Sequence, residues 1–280
     1  MASYDVEQLT GEVKGTLVRG ANDRRTGVVV LSGSSGRIDT DRATLFAEAG
    51  TSALALQWFG GENQPPGICE IELETFVRAT DLMISRACQR IVFVGTSKGA
   101  EAALLASTVD TRINAVVTIS PTSVVWGNIG EGRDGITWPE RSSWSFSGVP
   151  LDFVPADINW PREYRDGLVS YRSFFTPCLA NDPEAARRAK IPIETSPADL
   201  ILVAGGDDAL WPSDVFARDL FGVRQTCGKR PTLVFNQHAG HRILLPDETT
   251  PRSKLHAHGG NDEADRTLGR ETWQALQKLL

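Results

Sequence analysis

Three short stretches carry residue types and spacings that could do covalent chemistry. The first, "VGTSKGAEAALLA" at 94–106, sets Ser97 between Gly95 and Gly99 in a G-x-S-x-G pattern. A serine hydroxyl is a weak nucleophile at neutral pH, so it needs a base, and the base needs an orienting acid. The chain has four histidines, and His241 lies in "HAGHRILLP" just after the apolar run "PTLVFN". "LILVAGGDDALWPS" places Asp207 and Asp208 directly after another apolar run, between the serine and the histidine in sequence. Nucleophile, acid and base in that order point to attack on an activated carbonyl, with Ser97 forming a covalent intermediate. The competing reading of the glycine pattern is a tight turn that needs small residues only to fit.

Asp208 is the expected acid. Gly205, Asp208 and Pro212 fit a strand-end loop of the form G-x-x-D-x-x-x-P, and Asp207 falls one residue out of register. Asp207 then reads as a turn former or a cap. His238 is expected to support its loop or meet solvent, and His256 and His258 to be solvated. An oxyanion hole needs two N–H donors. One is expected from Lys98, the residue after the nucleophile. The other is expected from the loop "SGSSGRID" at 32–39, with Ser34 as first choice and Ser35 close behind. An ordinary strand-to-helix turn capped by Asp39 or Thr40 would leave that donor role open. Lys98 and Glu101, three apart on one helix, are expected to pair, with Glu101 bracing the elbow.

The elements that must hold these residues alternate. Apolar runs at 27–33, 51–60, 90–95, 115–120, 199–206 and 231–236 read as buried strands, and 42–50, 70–87 and 264–280 read as helices. A further helix is expected to start near Lys98. Strands alternating with helices predict an α/β fold with a mainly parallel central sheet and helices on both faces. Ligands bind such sheets beyond the carboxyl ends of their strands, where Ser97 would stand at the positive end of a helix. Residues 121–195 break the rhythm. They hold four of the seven tryptophans, Trp126, Trp138, Trp144 and Trp160, together with several phenylalanines and tyrosines. This stretch reads as an insertion, part small core and part cap over an apolar pocket.

Composition narrows the class. The chain has 280 residues, 41% hydrophobic and 23% charged, which suits one large α/β domain with a substantial core. A net charge of -6 argues against nucleic acid or an anionic membrane as partner. No run approaches the length of a membrane span, and "MASYDVEQLTGEVKG" has no apolar segment typical of a secretory signal. Four dispersed cysteines contain no C-x-x-C pair and read as reduced thiols of a cytoplasmic protein.

Taken together, "GTSKGAEAALLAS", "SSWSFSGVPLDFVPA", "GGDDALWPS" and "HAGHRILLP" resemble the C-terminal domain shared by acyl-CoA thioesterases and bile acid-CoA:amino acid N-acyltransferases. The resemblance runs from about residue 27 to the C-terminus. It implies an α/β-hydrolase fold, related more distantly to dienelactone hydrolases, with Ser97 as nucleophile, Asp208 as acid and His241 as base. Larger members carry a further N-terminal β-sandwich domain, whereas about 26 residues precede the first recognised core strand here. The oxyanion segment is also poorer in glycine than is usual for the family. The acyltransferases tend to use cysteine as nucleophile, so serine favours transfer of the acyl group to water.

The expectation is therefore a single α/β-hydrolase domain over 1–280 with a cap at about 121–195. It would cleave acyl thioesters of coenzyme A or an acyl carrier protein, with no metal or cofactor required. A carboxylesterase or lactone hydrolase uses the same machinery, and an acyltransferase to an amine or alcohol is the next alternative. A non-catalytic binder would usually have lost part of the triad.

Overall fold

Alternation of side chains along the central strands sets the architecture. The computed structural model describes residues 4–20, 25–157 and 159–280. In chain order the first elements are β1 (Tyr4–Thr10), β2 (Lys14–Gly20), β3 (Thr26–Leu31), α1 (Thr40–Glu48), β4 (Ser52–Gln57), β5 (Ile71–Glu72), α2 (Glu74–Ser85), β6 (Arg90–Thr96), α3 (Lys98–Val109) and β7 (Ile113–Ile119). The insertion follows with β8 (Trp144–Phe146), β9 (Val149–Pro150), β10 (Glu163–Arg165), β11 (Leu168–Ser170), α4 (Arg172–Asn181) and α5 (Pro183–Arg188). The chain then returns through β12 (Asp199–Gly205), α6 (Ser213–Thr226), β13 (Thr232–Asn236) and α7 (Asp262–Leu276).

Eight strands form one sheet in the order β1-β2-β4-β3-β6-β7-β12-β13. From β4 to β13 every pairing is parallel, while β1–β2 and β2–β4 are antiparallel. Strands buried on both faces read as continuous apolar runs, and their alternate residues feed two cores. Val29, Leu31, Leu54, Leu56, Ile91 and Phe93 meet α2, α3 and α6 through Phe76, Ala102 and Phe216. Val28, Val30, Ala53, Ala55, Val92 and Val94 meet α1 and α7 through Phe46 and Leu268.

The expected strands and helices of this core are present. Three differences from the expectation stand out. Before the first recognised core strand, β2 pairs antiparallel with β4 and β1 pairs antiparallel with β2, so two further strands extend the sheet. Their signal is weak because β1 is an edge strand with mostly exposed side chains. The helix expected over 70–87 begins only at Glu74. Ile71 and Glu72 instead pair with Trp144 and Ser145, so β5 joins the insertion's β8 and β9 in a small sheet, β5-β8-β9. α6 lies where the sequence reading assigned no element.

The insertion's aromatics divide. Trp144 is fully buried and Trp126 nearly so, within the core on the α3 side of the sheet. Trp138 is exposed, as are Tyr164 and Phe146. Phe175 joins the buried group, with ring centroids 4.7 Å from Trp126 and 5.7 Å from Trp211 beyond the insertion.

Candidate active site

β6 delivers Ser97 to the carboxyl edge of the sheet, and α3 begins one residue later. Ser97 has φ 57° and ψ −121°, a backbone region that L-residues rarely occupy and that clusters at functional sites. Its N–H donates to Ile119 O at 2.9 Å. The flanking glycines are required by contact. A Cβ on Gly95 would sit 2.1 Å from Gly99 O, and one on Gly99 would sit 2.4 Å from the carbonyl oxygens of Leu31 and Ser32. Only at these spacings can β6, α3 and the end of β3 approach one another. The loop after β3 reaches the serine at Gly33, where a Cβ would lie 3.2 Å from Ser97 Cβ. Ser34 and Ser35 follow immediately and are exposed. Lys98 opens α3, so its N–H belongs to the first turn, which has no partner within the helix.

The two aspartates separate cleanly. Asp208 is fully buried. Its Oδ1 accepts from the N–H groups of Leu210 and Trp211, and its Oδ2 accepts from Ser213 Oγ at 2.6 Å. The same Oδ2 lies 2.8 Å from His241 Nδ1. Asp207 instead takes two 2.7 Å bonds from Arg165 on β10 and one from Gly260 N–H. The Arg165 guanidinium holds the Asp207 carboxyl below the usual range. Asp207 therefore ties the insertion's β10–β11 hairpin to the loop before α7.

His241 is held from several sides. Its N–H donates to His258 O at 2.8 Å, and its carbonyl accepts from Ser120 Oγ at 3.1 Å. Ser120 also has positive φ, 52°, and its own carbonyl accepts from Trp211 Nε1 at 3.1 Å. Ser120 follows Ile119, whose carbonyl holds Ser97, so adjacent residues of one strand end fix the backbones of Ser97 and His241. The His241 ring faces Trp211 and His258, each at 5.9 Å between centroids. Asp265 on α7 accepts the N–H of Gly240, one residue before His241.

His256 and His258 are not solvated as expected. Both are half-buried, and the Nδ1 atom of each is buried. The bridges Asp208–Gly259 and Val169–His256 pull their loop inward. Burial, with His241 next in effect, pushes the His258 imidazole down to about 4. His238 is exposed, in line with a solvent-facing role.

The expected Lys98–Glu101 pair forms at 2.7 Å and is fully buried. Burial draws the Lys98 ammonium below the usual lysine range, against the pull of Glu101. The other oxygen of Glu101 accepts from Trp126 N–H at 3.0 Å and Trp144 Nε1 at 2.7 Å. One carboxylate, a turn after Ser97, thus anchors the insertion at two points. Sequence reasoning missed Ser120 and Asp265, whose partners are remote in sequence, and Ser213, which meets Asp208 only through the turn between them.

A family profile described as BAAT / acyl-CoA thioester hydrolase C terminal matches residues 71–280. The chain belongs to this family. Among curated relatives, acyl-coenzyme A thioesterase 6 of Mus musculus is 28% identical over 269 residues, covering 90% of this chain and 58% of the mouse protein. Acyl-coenzyme A thioesterase 1 of Homo sapiens is 25% identical over 279 residues, covering 95% of this chain and 62% of the human one. The chain therefore spans about six tenths of the length of these two relatives. Among solved structures, a dienelactone hydrolase-like promiscuous phosphotriesterase from metagenomic libraries superposes with TM-score 0.56 at 16% identity, over all of this chain and 98% of that one. A Pyrococcus furiosus esterase superposes with TM-score 0.53 at 13% identity, over all of this chain and 92% of that one. These likenesses place the family member in the α/β-hydrolase fold.

Proposed function

We propose that this chain is a serine hydrolase of acyl thioesters, with Ser97 as nucleophile, His241 as general base and Asp208 as the acid that orients it. The observation that carries the reading is the buried Asp208–His241 pair, held by Ser120 next to the residue that fixes the strained Ser97. With Nδ1–H donated to Asp208, His241 presents Nε2 as the proton acceptor. Ser97 Oγ attacks the carbonyl carbon as His241 takes its proton. The oxyanion is met by the N–H of Lys98 and by a donor from the loop after β3, at Ser34 or Ser35. Collapse expels the thiol, which leaves with the proton from His241. Water then attacks the acyl-enzyme with His241 again as base, and the carboxylic acid departs.

The relatives' names support a coenzyme A thioester as substrate, and the same site would accept an acyl carrier thioester or an oxygen ester. The reading treats the chain as one α/β-hydrolase domain in which 121–195 is the cap. Among the described residues no helix is long and apolar enough to cross a membrane. The dispersed cysteines support a cytoplasmic setting.

The test is a panel of acyl thioesters and matched oxygen esters, with free thiol release followed directly for the native chain and Ser97→Ala. Turnover of thioesters, falling by at least about a thousandfold in Ser97→Ala, is expected. Near-normal turnover by Ser97→Ala would remove Ser97 from the mechanism.

A further inference from the structure

Arg42 stands in none of the three motif stretches, yet it bonds directly to the serine stretch and, through Glu248, reaches the histidine stretch. It lies in the first turn of α1, directly after the oxyanion loop, and it is 5% exposed. Its Nη1 donates to Thr96 Oγ1 at 2.8 Å, and Thr96 is the residue before Ser97. Its Nε and Nη2 donate to the two oxygens of Glu248 at 2.6 and 2.8 Å. Glu248, itself 8% exposed, also accepts the N–H of Leu245 at 2.9 Å, on the segment that leads away from His241. Arg266 on α7 donates to the Glu248 carbonyl at 3.2 Å.

A buried ion pair is a poor source of net stability, because desolvating two charges offsets most of their attraction. A planar guanidinium is, however, well suited to fixing several partners at once, since its donors have a fixed fork geometry. We infer that Arg42 is a positioning residue, which holds the oxyanion loop, the Ser97 elbow and the His241 segment in one register. The inference rests on the hydrolase reading proposed above. It adds that the alignment of nucleophile and base depends on a cation that touches neither substrate nor reacting atoms. A misplacement of about 1 Å can cost about a hundredfold in rate, so such a residue should act on turnover more than on binding.

The experiment compares Arg42→Lys, Thr96→Val and the double variant with Ser97→Ala on one acyl thioester. It reads kcat, KM, the pH profile of kcat/KM and the thermal midpoint. Lysine keeps the charge but cannot reach both partners, so kcat is expected to fall roughly 10- to 100-fold with KM within about threefold. The acid limb of kcat/KM, which reports the free enzyme's base, should move by about half a pH unit. Thr96→Val removes one contact without disturbing charge and should give a smaller fall of about 5- to 10-fold. The double variant should lose little more than Arg42→Lys alone, because both changes break the same link. Should Arg42→Lys fail to fold, Thr96→Val alone decides by the same kcat, KM and pH readouts. Folded variants with native kcat and pH profile, or a raised KM at unchanged kcat, would overturn the inference. An active Ser97→Ala overturns the hydrolase reading and this inference with it. An inert Ser97→Ala beside fully active Arg42→Lys and Thr96→Val overturns the inference alone.

Discussion

His241 Nδ1 and Asp208 Oδ2 lie 2.8 Å apart, and the same Asp208 oxygen accepts from Ser213. Four donors thus converge on one fully buried carboxylate, two of them backbone N–H groups. The neighbouring Asp207 faces an arginine of the insertion instead.

This division predicts opposite outcomes for two isosteric changes. Asp208→Asn should retain the fold but favour the wrong imidazole tautomer, lowering kcat/KM by about ten-thousandfold. Asp207→Asn should cost less than about tenfold, since its salt bridge is partly exposed and such pairs are weak. Kinetics on one good thioester, with circular dichroism to verify folding, separates them. A dead Asp207→Asn beside an active Asp208→Asn would move the acid role by one residue.

The elbow glycines should be intolerant for a steric reason. Gly99→Ala drives a methyl into the backbone oxygens of Leu31 and Ser32, which cannot rotate away as a side chain could. Overpacking of this kind costs typically about 1–3 kcal/mol. Urea unfolding should show that loss, together with reduced turnover as the oxyanion loop is pushed off the serine. Native stability and activity would mean that the elbow relaxes without cost.

The insertion should set acyl preference. Phe175 on α4 packs against Trp126 and Trp211, and Trp211 in turn faces His241. Apolar pockets bury most of a ligand's surface, so their linings respond to chain length. Phe175→Leu should change kcat/KM for long acyl thioesters at least about fivefold more than for the acetyl thioester. Equal changes across chain lengths would take Phe175 out of the pocket wall.

Acid sensitivity should trace partly to His258. Its pKa is pushed down to about 4 from the ordinary 6.5 by burial and by the neighbouring His241. Below 6.5 the unfolded chain takes up a proton there that the folded chain does not, so unfolding gains protons and stability falls with pH. The contribution is complete above about pH 6.5 and is lost progressively down to about pH 4. His258→Asn should flatten the decline of the urea midpoint between those limits. An unchanged slope would show that the acid loss arises elsewhere.

Much of the architecture was legible because it is written locally. Continuous β-branched runs such as that at 27–33 read as strands buried on both faces, and their alternation with helices points to the parallel core. Gly95 and Gly99 declare a close approach of backbone to backbone wherever they fall. The edge strand β1 was not legible, since an edge has little to bury and its side chains remain mixed. For the site, the types and order of Ser97, Asp208 and His241 stood in the sequence, and the G-x-x-D-x-x-x-P spacing pointed to Asp208.

The tertiary structure decided who holds whom. Arg42 meets Glu248 across 206 positions and Thr96 across 54. Ser120 meets His241 across 121. His258 leaves solvent because its loop bridges to Asp208 on one side and Val169 on the other. No local pattern carries these pairings. A periodicity reports which face of an element is buried, whereas the partner a buried polar group finds there is set by the order in which distant strands join the sheet.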